Sequence, residues 1–141
     1  MSKIAVVYWS GTGNTEAMAN AVVYGAETAG AEAELITCGD FNAERMDEFD
    51  EVAFGCPSMG SEELEECEFA PMFESVKGKL SGKRIALFGS YGWGDGEWMR
   101  NWEADCRANG AELLCDPVIC AGEPEAETVK SLNAIGAELS R

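Results

Sequence analysis

The segment from Ile4 to Ala19 reads IAVVYWSGTGNTEAMA and joins an apolar run, a glycine-rich turn and a stretch with helical spacing. An unbroken apolar run is typical of a strand that is buried on both faces of a parallel sheet. Asn14 and Thr15 provide a cap for the following stretch, with Glu16 in its first turn. The segment therefore predicts a strand, a tight turn and a helix.

The same alternation continues along the chain. Apolar runs predict strands at residues 4–9, 33–37, 51–56, 84–90 and 113–120. Helix-compatible segments follow them at residues 14–30, 42–49, 65–79, 97–109 and 125–139. Such repeated strand–helix units predict an α/β fold, a doubly wound five-stranded parallel sheet with helices on both faces. Because no linker or repeat divides the 141 residues, we expect a single domain over residues 1–141.

The composition limits the partners. The formal charge of −16, from 26 acidic and 10 basic residues, would repel nucleic acid and anionic membrane surfaces, so we expect any macromolecular partner to be basic. No stretch approaches the roughly 20 apolar residues of a membrane span. The beginning MSKIAVVYWSG lacks the cleavage site of a secretory signal, which favours a cytoplasmic protein.

The cysteines do not suggest a metal site. Six of them are scattered without a C-x-x-C pair, and the chain has no histidine. Zinc sites that use histidine are thereby excluded. We expect reduced, mostly buried thiols and no bound metal.

The glycine-rich turn predicts an anion site, because free backbone N–H groups and a positive dipole end meet where a strand runs into a helix. Glu16 stands where the dinucleotide fingerprint requires its third glycine, and the turn lacks the lysine of the nucleotide P-loop. One terminal monophosphate held without a cation fits better. Its candidate ligands are Ser10, Gly11, Thr12, Gly13, Asn14 and Thr15. The turn alone also fits an ordinary helix cap.

Two further loops predict a binding site for a planar ring. The loop GSYGWGDGEW, residues 89–98, sets Trp93 among glycines, which favours a stacking platform over a core position. The loop CPSMGSEE, residues 56–63, offers the thioether of Met59 and a carboxylate at Glu62 that can accept a ring N–H. We expect Trp98, Trp102 and Trp9 to be packed in the core.

Three segments in this order, WSGTGNTE, GCPSMGSEELEE and ALFGSYGWGDGEWM, resemble the corresponding segments of flavodoxins, particularly the short-chain type of anaerobic bacteria. The resemblance covers essentially the whole chain and implies a flavodoxin-like sheet with non-covalent FMN. It also implies a monomeric low-potential one-electron carrier, not an enzyme, that shuttles mainly between semiquinone and hydroquinone. Its implied partners are flavodoxin or ferredoxin reductases and oxidoreductases with basic docking surfaces.

The resemblance also implies roles for individual residues. Residues 10–15 would hold the FMN phosphate, and Glu62 would accept the ring N3–H. The ring and the ribityl chain would be enclosed by Pro57, Ser58, Met59, Gly60, Ser61, Ser90, Tyr91, Gly92, Trp93 and Gly94, with Ala121 and Gly122 at the edge. In the family the Gly60–Ser61 peptide flips so that its carbonyl accepts the N5–H of the semiquinone, although Ser61 replaces an acid that other members often carry.

Three other functions stay open at this stage. An FMN-dependent reductase acting on a small substrate would need a second pocket, for which no motif is visible. A phosphorylated receiver domain would need acids at the end of the first strand, where the chain has Tyr8, Trp9 and Ser10. A purely regulatory FMN-binding protein would exchange no electrons with a redox partner.

Overall fold

Strands and helices alternate in the computed structural model, which describes residues 3–11, 13–59 and 62–140. The strands are β1 (Lys3–Tyr8), β2 (Glu32–Thr37), β3 (Glu51–Gly55), β4 (Arg84–Tyr91), β5 (Glu112–Leu113) and β6 (Val118–Ala121). The helices are α1 (Asn14–Thr28), α2 (Ala43–Met46), α3 (Phe69–Val76), α4 (Glu97–Ala108) and α5 (Ala126–Leu139). Short 3₁₀ turns lie at Cys38–Asp40 and Lys77–Lys79.

The sheet is parallel throughout, in the order β2-β1-β3-β4-β5, and β6 also pairs with β4. The order reverses at β1, because β2 lies on one side of β1 and β3 on the other. Such a reversal opens a crevice at the carboxyl ends of the strands. The predicted doubly wound sheet is confirmed, and the glycine-rich turn between β1 and α1 lies at this crevice.

The fifth strand position is interrupted. β5 pairs with Arg84 and Ile85 at the beginning of β4, and β6 pairs with the end of β4 from Phe88 to Tyr91. The prediction of one continuous strand over residues 113–120 is wrong for the segment between them. Pro117 lies in that segment and has no N–H to donate to a ladder, which favours a break there.

Each face of the sheet carries its own core, because successive side chains of a strand point to opposite faces. Ile4 and Val6 pack with Met18 and Val22 of α1 and with Leu132 of α5. On the other face a second core draws on β1, β3, β4, α3 and α4, and its members include Ala5, Val7, Phe54, Leu87, Phe69, Phe73, Trp98 and Trp102. Helices therefore cover both faces, as predicted.

One strand is exposed at the edge of the sheet, and one helix boundary differs from the sequence prediction. Strand β2 is the edge strand, so most of its side chains are exposed and it lacks the continuous burial of β1 and β3. Helix α3 begins at Phe69, whereas the apolar spacing predicted a start at residue 65. No helix in the described part of the chain has the length and apolar character needed to cross a membrane.

Glycine 136 allows α1 and α5 to approach closely. A Cβ at Gly136 would lie 2.2 Å from the carbonyl oxygen of Val22 and 2.4 Å from the amide nitrogen of Ala26. We expect Gly136→Ala to lower the free energy of unfolding by about 1 to 3 kcal/mol, because backbone cannot yield as a side chain can. Chemical denaturation measures the change, and Gly78→Ala, with no atom within 4 Å of its added Cβ, is the control. Equal stability of the two variants would contradict the close packing.

Candidate functional site

The turn between β1 and α1 leads directly into the beginning of a helix. Gly13 is the N-cap of α1 with φ 98°, a left-handed conformation that suits glycine, and no side chain among the described residues caps the helix. The Gly13 N–H donates to Ser10 Oγ at 3.0 Å, which folds the turn. The N–H groups of the first helical turn, which have no intrahelical acceptor, therefore lie at the carboxyl edge of the sheet. Thr12 falls outside the described residues.

A buried pair of hydroxyl groups joins this turn to the end of β4. Thr15 Oγ1 and Ser90 Oγ are 3.0 Å apart, and either atom can be the donor. Thr15 is 1% exposed and Ser90 is 5% exposed. Because each hydroxyl has one proton and two acceptor positions, the pair leaves one proton for a further acceptor. The sequence named both residues but gave no sign that they touch.

A cleft of about 230 Å³ opens beside the turn. Its walls come from the end of β4, the loops after β1, β3, β4 and β6 and the beginning of α1. They are formed by Trp9, Gly11, Asn14, Pro57, Ser58, Met59, Ser90, Tyr91, Gly92 and Gly122. Gly92 and Gly122 have no atom within 4 Å of where a Cβ would stand, so glycine leaves open space at the edge of the cleft. Most of the predicted ring-binding residues thus meet in one place.

Trp9 packs against the core, as predicted, but it is only partly buried and also forms part of the cleft wall. Its ring lies against Gly11, where an added Cβ would be 3.0 Å from the Trp9 ring. Its indole Nε1 donates to Glu68 Oε1 at 3.0 Å. The position of Trp9 at a strand end, directly before the glycine-rich turn, was the available sign of this role.

A second cleft, of about 270 Å³, lies on the side of Trp9 nearer to β2. Its walls include Tyr8 and Cys38 and the carboxylates of Glu16 and Glu68. Tyr8 donates its hydroxyl to Glu16 at 3.1 Å, and burial together with this contact raises the pKa of Tyr8. Carboxylates repel a phosphate, so the cleft with the glycine-lined edge fits a phosphorylated ligand better.

At this edge the thioether side chain of Met59 and the aromatic side chain of Trp93 are both exposed. Met59 is 38% exposed and contributes to the cleft, whereas Trp93 is 62% exposed and lies outside its walls. The backbone of Met59 pairs with that of Glu63 through hydrogen bonds of 2.8 and 2.9 Å, which closes the loop after β3. Gly60 and Ser61 lie within that loop but outside the described residues.

Glu62 does not line the cleft either. Its Oε1 accepts the N–H groups of Gly96 at 3.3 Å and Glu97 at 3.0 Å, at the beginning of α4. Gly94 lies against the same carboxylate, since a Cβ there would be 2.5 Å from Glu62 Cδ. The structure therefore brings Glu62 to the Trp93 loop by a contact that the sequence did not predict.

Glu65 explains the late start of α3. Its two carboxylate oxygens accept the N–H groups of Cys67, Glu68 and Phe69 at 2.7 to 2.8 Å. Burial by itself would raise the pKa of Glu65, but the hydrogen bonds from Phe69, Glu68 and Cys67 together hold that pKa below its ordinary value. Residues 65–68 form a cap that fixes the loop after β3, and they are not helical.

We expect the stabilisation from Glu65 to depend on pH. Because the folded pKa lies below the ordinary value of 4.5, the contribution is present above that value and is lost as the pH falls through the folded pKa. Glu65→Gln should lower the free energy of unfolding at pH 7 by about 1 to 2 kcal/mol, and the deficit should shrink in acid. Urea denaturation at several pH values tests this against the exposed neighbour Glu66→Gln. A deficit that stays constant with pH would contradict the charged cap.

Three of the six cysteine thiols are buried and held in the protonated form. All six are free, and Cys38, Cys56 and Cys106 are buried. Burial raises the pKa of Cys38 to about 11 and that of Cys106 to about 12, and it raises the pKa of Cys56 as well, so these thiols stay protonated. No group of three or more potential metal ligands occurs among the described residues.

Comparison with known proteins agrees with this geometry. Residues 6–134 match the flavodoxin family. The chain is 45% identical over 120 residues to the flavodoxin of Clostridium beijerinckii, covering 85% of this chain and 87% of that one. It is 42% identical over 135 residues to the flavodoxin of Megasphaera elsdenii, covering 96% of this chain and 98% of that one.

The fold agrees as well. The solution structure of two-electron reduced Megasphaera elsdenii flavodoxin superposes with a TM-score of 0.88 at 39% identity, over 97% of this chain and 98% of that one. Sequence, sheet order and the glycine-capped turn thus point to one family. The chain belongs to the flavodoxins, and it is an FMN-binding electron carrier rather than an enzyme.

Proposed function

We propose that the FMN phosphate lies on the turn at residues 10–15 and that the ring system lies in the cleft beside it. The support is that the first helical turn of α1, the Thr15–Ser90 pair and the cleft meet at the carboxyl edge of the sheet. Hydroxyl and N–H donors there suit an anion that is bound without a cation. When bound, FMN supplies the redox chemistry. The chain's own residues bind it and set its surroundings.

We propose that Glu62, Trp93 and Gly94 contact the flavin ring when FMN binds, although they lie outside the walls of the cleft. The 62% exposure of the Trp93 side chain leaves its face available to a ligand. Met59 and Tyr91 already contribute to the cleft. Gly60 and Ser61 remain predictions from the family resemblance, and the Met59–Glu63 backbone pair fixes both ends of the segment that contains them.

The acidic side chains support a low potential for the second electron. Carboxylates occur in the loops after β3, β4 and β6, including Glu62, Glu63, Asp95, Glu123 and Glu125. Further negative charge on a bound ligand is disfavoured close to like charges. We therefore propose that the protein works mainly between the one-electron and the fully reduced states of its cofactor. A stepwise anaerobic titration followed by absorbance tests this, with two separated steps expected and a single two-electron step as the contrary result.

We also propose that redox partners dock through basic surfaces at this edge. Lys3, Lys83 and Arg84 lie at the beginnings of β1 and β4, at the opposite edge of the sheet. Among the described residues, Arg100 is the only Lys or Arg in the loops after β1, β3, β4 and β6 and in the first turns of the helices that follow. It is paired with Asp95 at 3.0 Å. Opposite charge at the docking edge would steer and orient a basic partner.

Electron transfer from the reduced protein to a positively charged haem protein tests the docking proposal. The second-order rate constant should fall as ionic strength rises. Glu63→Lys, at the carboxyl edge, should lower that constant more than Glu112→Lys, which makes the same charge change at the beginning of β5. Equal effects of the two variants would show that only net charge matters and would contradict oriented docking.

We also propose that the protein is a single-domain monomer. The family match spans residues 6–134, which supports a single FMN-binding domain. The net charge of −16 would resist self-association and anionic surfaces, which supports a monomeric carrier with neither nucleic acid nor membrane as partner. We place the protein in the cytoplasm. Size-exclusion chromatography of the holoprotein tests the monomer, and a dimer would contradict it.

A further inference from the structure

We propose that Glu62 is a positioning residue whose carboxylate ties the loop after β3 to the beginning of α4 and so holds the Trp93 loop, residues 92–96. This role is separate from any contact between Glu62 and the ring. The contact between Glu62 and the beginning of α4 is formed by protein groups alone. Its importance for electron transfer rests on the proposed cofactor placement, but the existence of the contact does not.

The first reason is that α4 needs an external cap. Its N-cap is Gly96, with φ 96°, which has no side chain to accept the free N–H groups of the first turn. Glu62 Oε1 accepts the N–H of Glu97 at 3.0 Å and that of Gly96 at 3.3 Å. A carboxylate at a helix N-terminus is stabilised by these donors and by the helix dipole.

The second reason is that Glu62 and the neighbouring Gly94 are both in left-handed backbone conformations. Glu62 has φ 56° and is the only non-glycine residue with positive φ in the described part of the chain. Such a conformation at a residue with a side chain costs energy that surrounding contacts must recover. Gly94 has φ 88°, and a Cβ there would lie 2.5 Å from Glu62 Cδ and 2.6 Å from Oε1. Glycine at position 94 therefore gives the carboxylate its space.

The third reason is that the Trp93 loop has little packing of its own. The Trp93 side chain is 62% exposed, and Gly92 has no atom within 4 Å of where a Cβ would stand. One end of the loop is held by Tyr91, whose carbonyl accepts the N–H of Gly122 at 3.0 Å. The other end is held at Gly96 by Glu62. Arg100 also binds Asp95 in this part of the loop, through the carbonyl and the carboxylate at 3.0 Å, but among the described residues only Glu62 links this end to the loop after β3.

Amide hydrogen exchange of the ¹⁵N-labelled apoprotein tests the tie without relying on FMN. The amides of Gly96 and Glu97 have no intrahelical acceptor, so their protection reports on Glu62. Glu62→Gly removes the carboxylate and also relieves the positive φ, and it should accelerate exchange of both amides by about tenfold or more. Glu62→Gln keeps an acceptor oxygen and should restore part of the protection. Glu63→Gln makes the same charge change one residue away and should leave both amides as in the wild type.

The second measurement is the mobility of the Trp93 loop. The ¹⁵N relaxation of the Trp93 indole N–H, assigned with Trp93→Phe, should show more motion in Glu62→Gly than in the wild type or in Glu63→Gln. Unchanged exchange of Gly96 and Glu97 in Glu62→Gly would overturn the tie. Equal acceleration in Glu63→Gln would reduce it to a general charge effect, and unchanged Trp93 motion would overturn the positioning role. FMN binding is measured separately. If the proposed cofactor placement is wrong, the exchange and relaxation results still test the contact made by Glu62.

Discussion

Thr15→Val is expected to weaken the binding of FMN about 10- to 150-fold more than it weakens the binding of riboflavin, the range for loss of one hydrogen bond to a charged group. Thr15 opens the first turn of α1, and its hydroxyl already shares a hydrogen bond with Ser90. A hydroxyl that accepts from Ser90 keeps its own proton for a phosphate oxygen. Riboflavin lacks the phosphate, so it measures any general damage from leaving the Ser90 hydroxyl unpaired.

The dissociation constants of the two ligands for the apoprotein, obtained from the quenching of flavin fluorescence, give the ratio directly. Thr15→Ser keeps the hydroxyl and is the matched control, because it should preserve the preference for FMN. Equal losses of FMN and riboflavin in Thr15→Val would show that Thr15 serves only the fold. The phosphate would then have to be placed elsewhere.

Gly89→Ala is expected to lower the free energy of unfolding by about 3 kcal/mol or more, since overpacking and a strained buried hydrogen bond add together. A Cβ at Gly89 would stand 2.2 Å from the carbonyl oxygen of Cys56 and 3.2 Å from the Trp98 ring. That oxygen accepts the Trp98 indole N–H at 3.2 Å. The substitution would therefore separate β3, β4 and α4 where they meet below the cleft.

Chemical denaturation of the apoprotein, followed by circular dichroism, measures this loss. Gly92→Ala is the control, because a Cβ at Gly92 meets no atom within 4 Å, and it should change stability by no more than a few tenths of a kcal/mol. A loss below about 1 kcal/mol in Gly89→Ala would mean that the strands can move apart at little cost.

Local sequence patterns predicted the sheet because they reflect requirements that a strand or helix meets by itself. The unbroken apolar run of β1 requires burial on both faces of the sheet. Its alternate residues pack with α1 and α5 on one face and with the core formed by α3 and α4 on the other. Trp98 and Trp102, four residues apart, are each 2% exposed, as helical spacing predicted. Family resemblance added FMN, because three loop motifs in fixed order are far more specific than any one of them.

Other features depended on which elements become neighbours in space. The strand prediction for residues 113–120 failed because hydropathy does not reveal where pairing with β4 breaks. The start of α3 was misplaced because Glu65 is compatible with a helix in sequence but caps one in the structure. Trp9 packs against the core as predicted, but nothing local shows that its ring, beside Gly11, also lines a cleft.

The sequence by itself therefore determined the alternation of strands and helices, the glycine-rich turn and the family, since each is encoded by local patterns or by motifs in fixed order along the chain. Only the tertiary structure joined Thr15 to Ser90, 75 residues apart, and Glu62 to Gly96, 34 residues apart. These contacts form where the carboxyl ends of parallel strands converge. The packing of the whole sheet brings the hydroxyl or carboxylate to its partner there, and the spacing of the two residues in the sequence does not predict the contact.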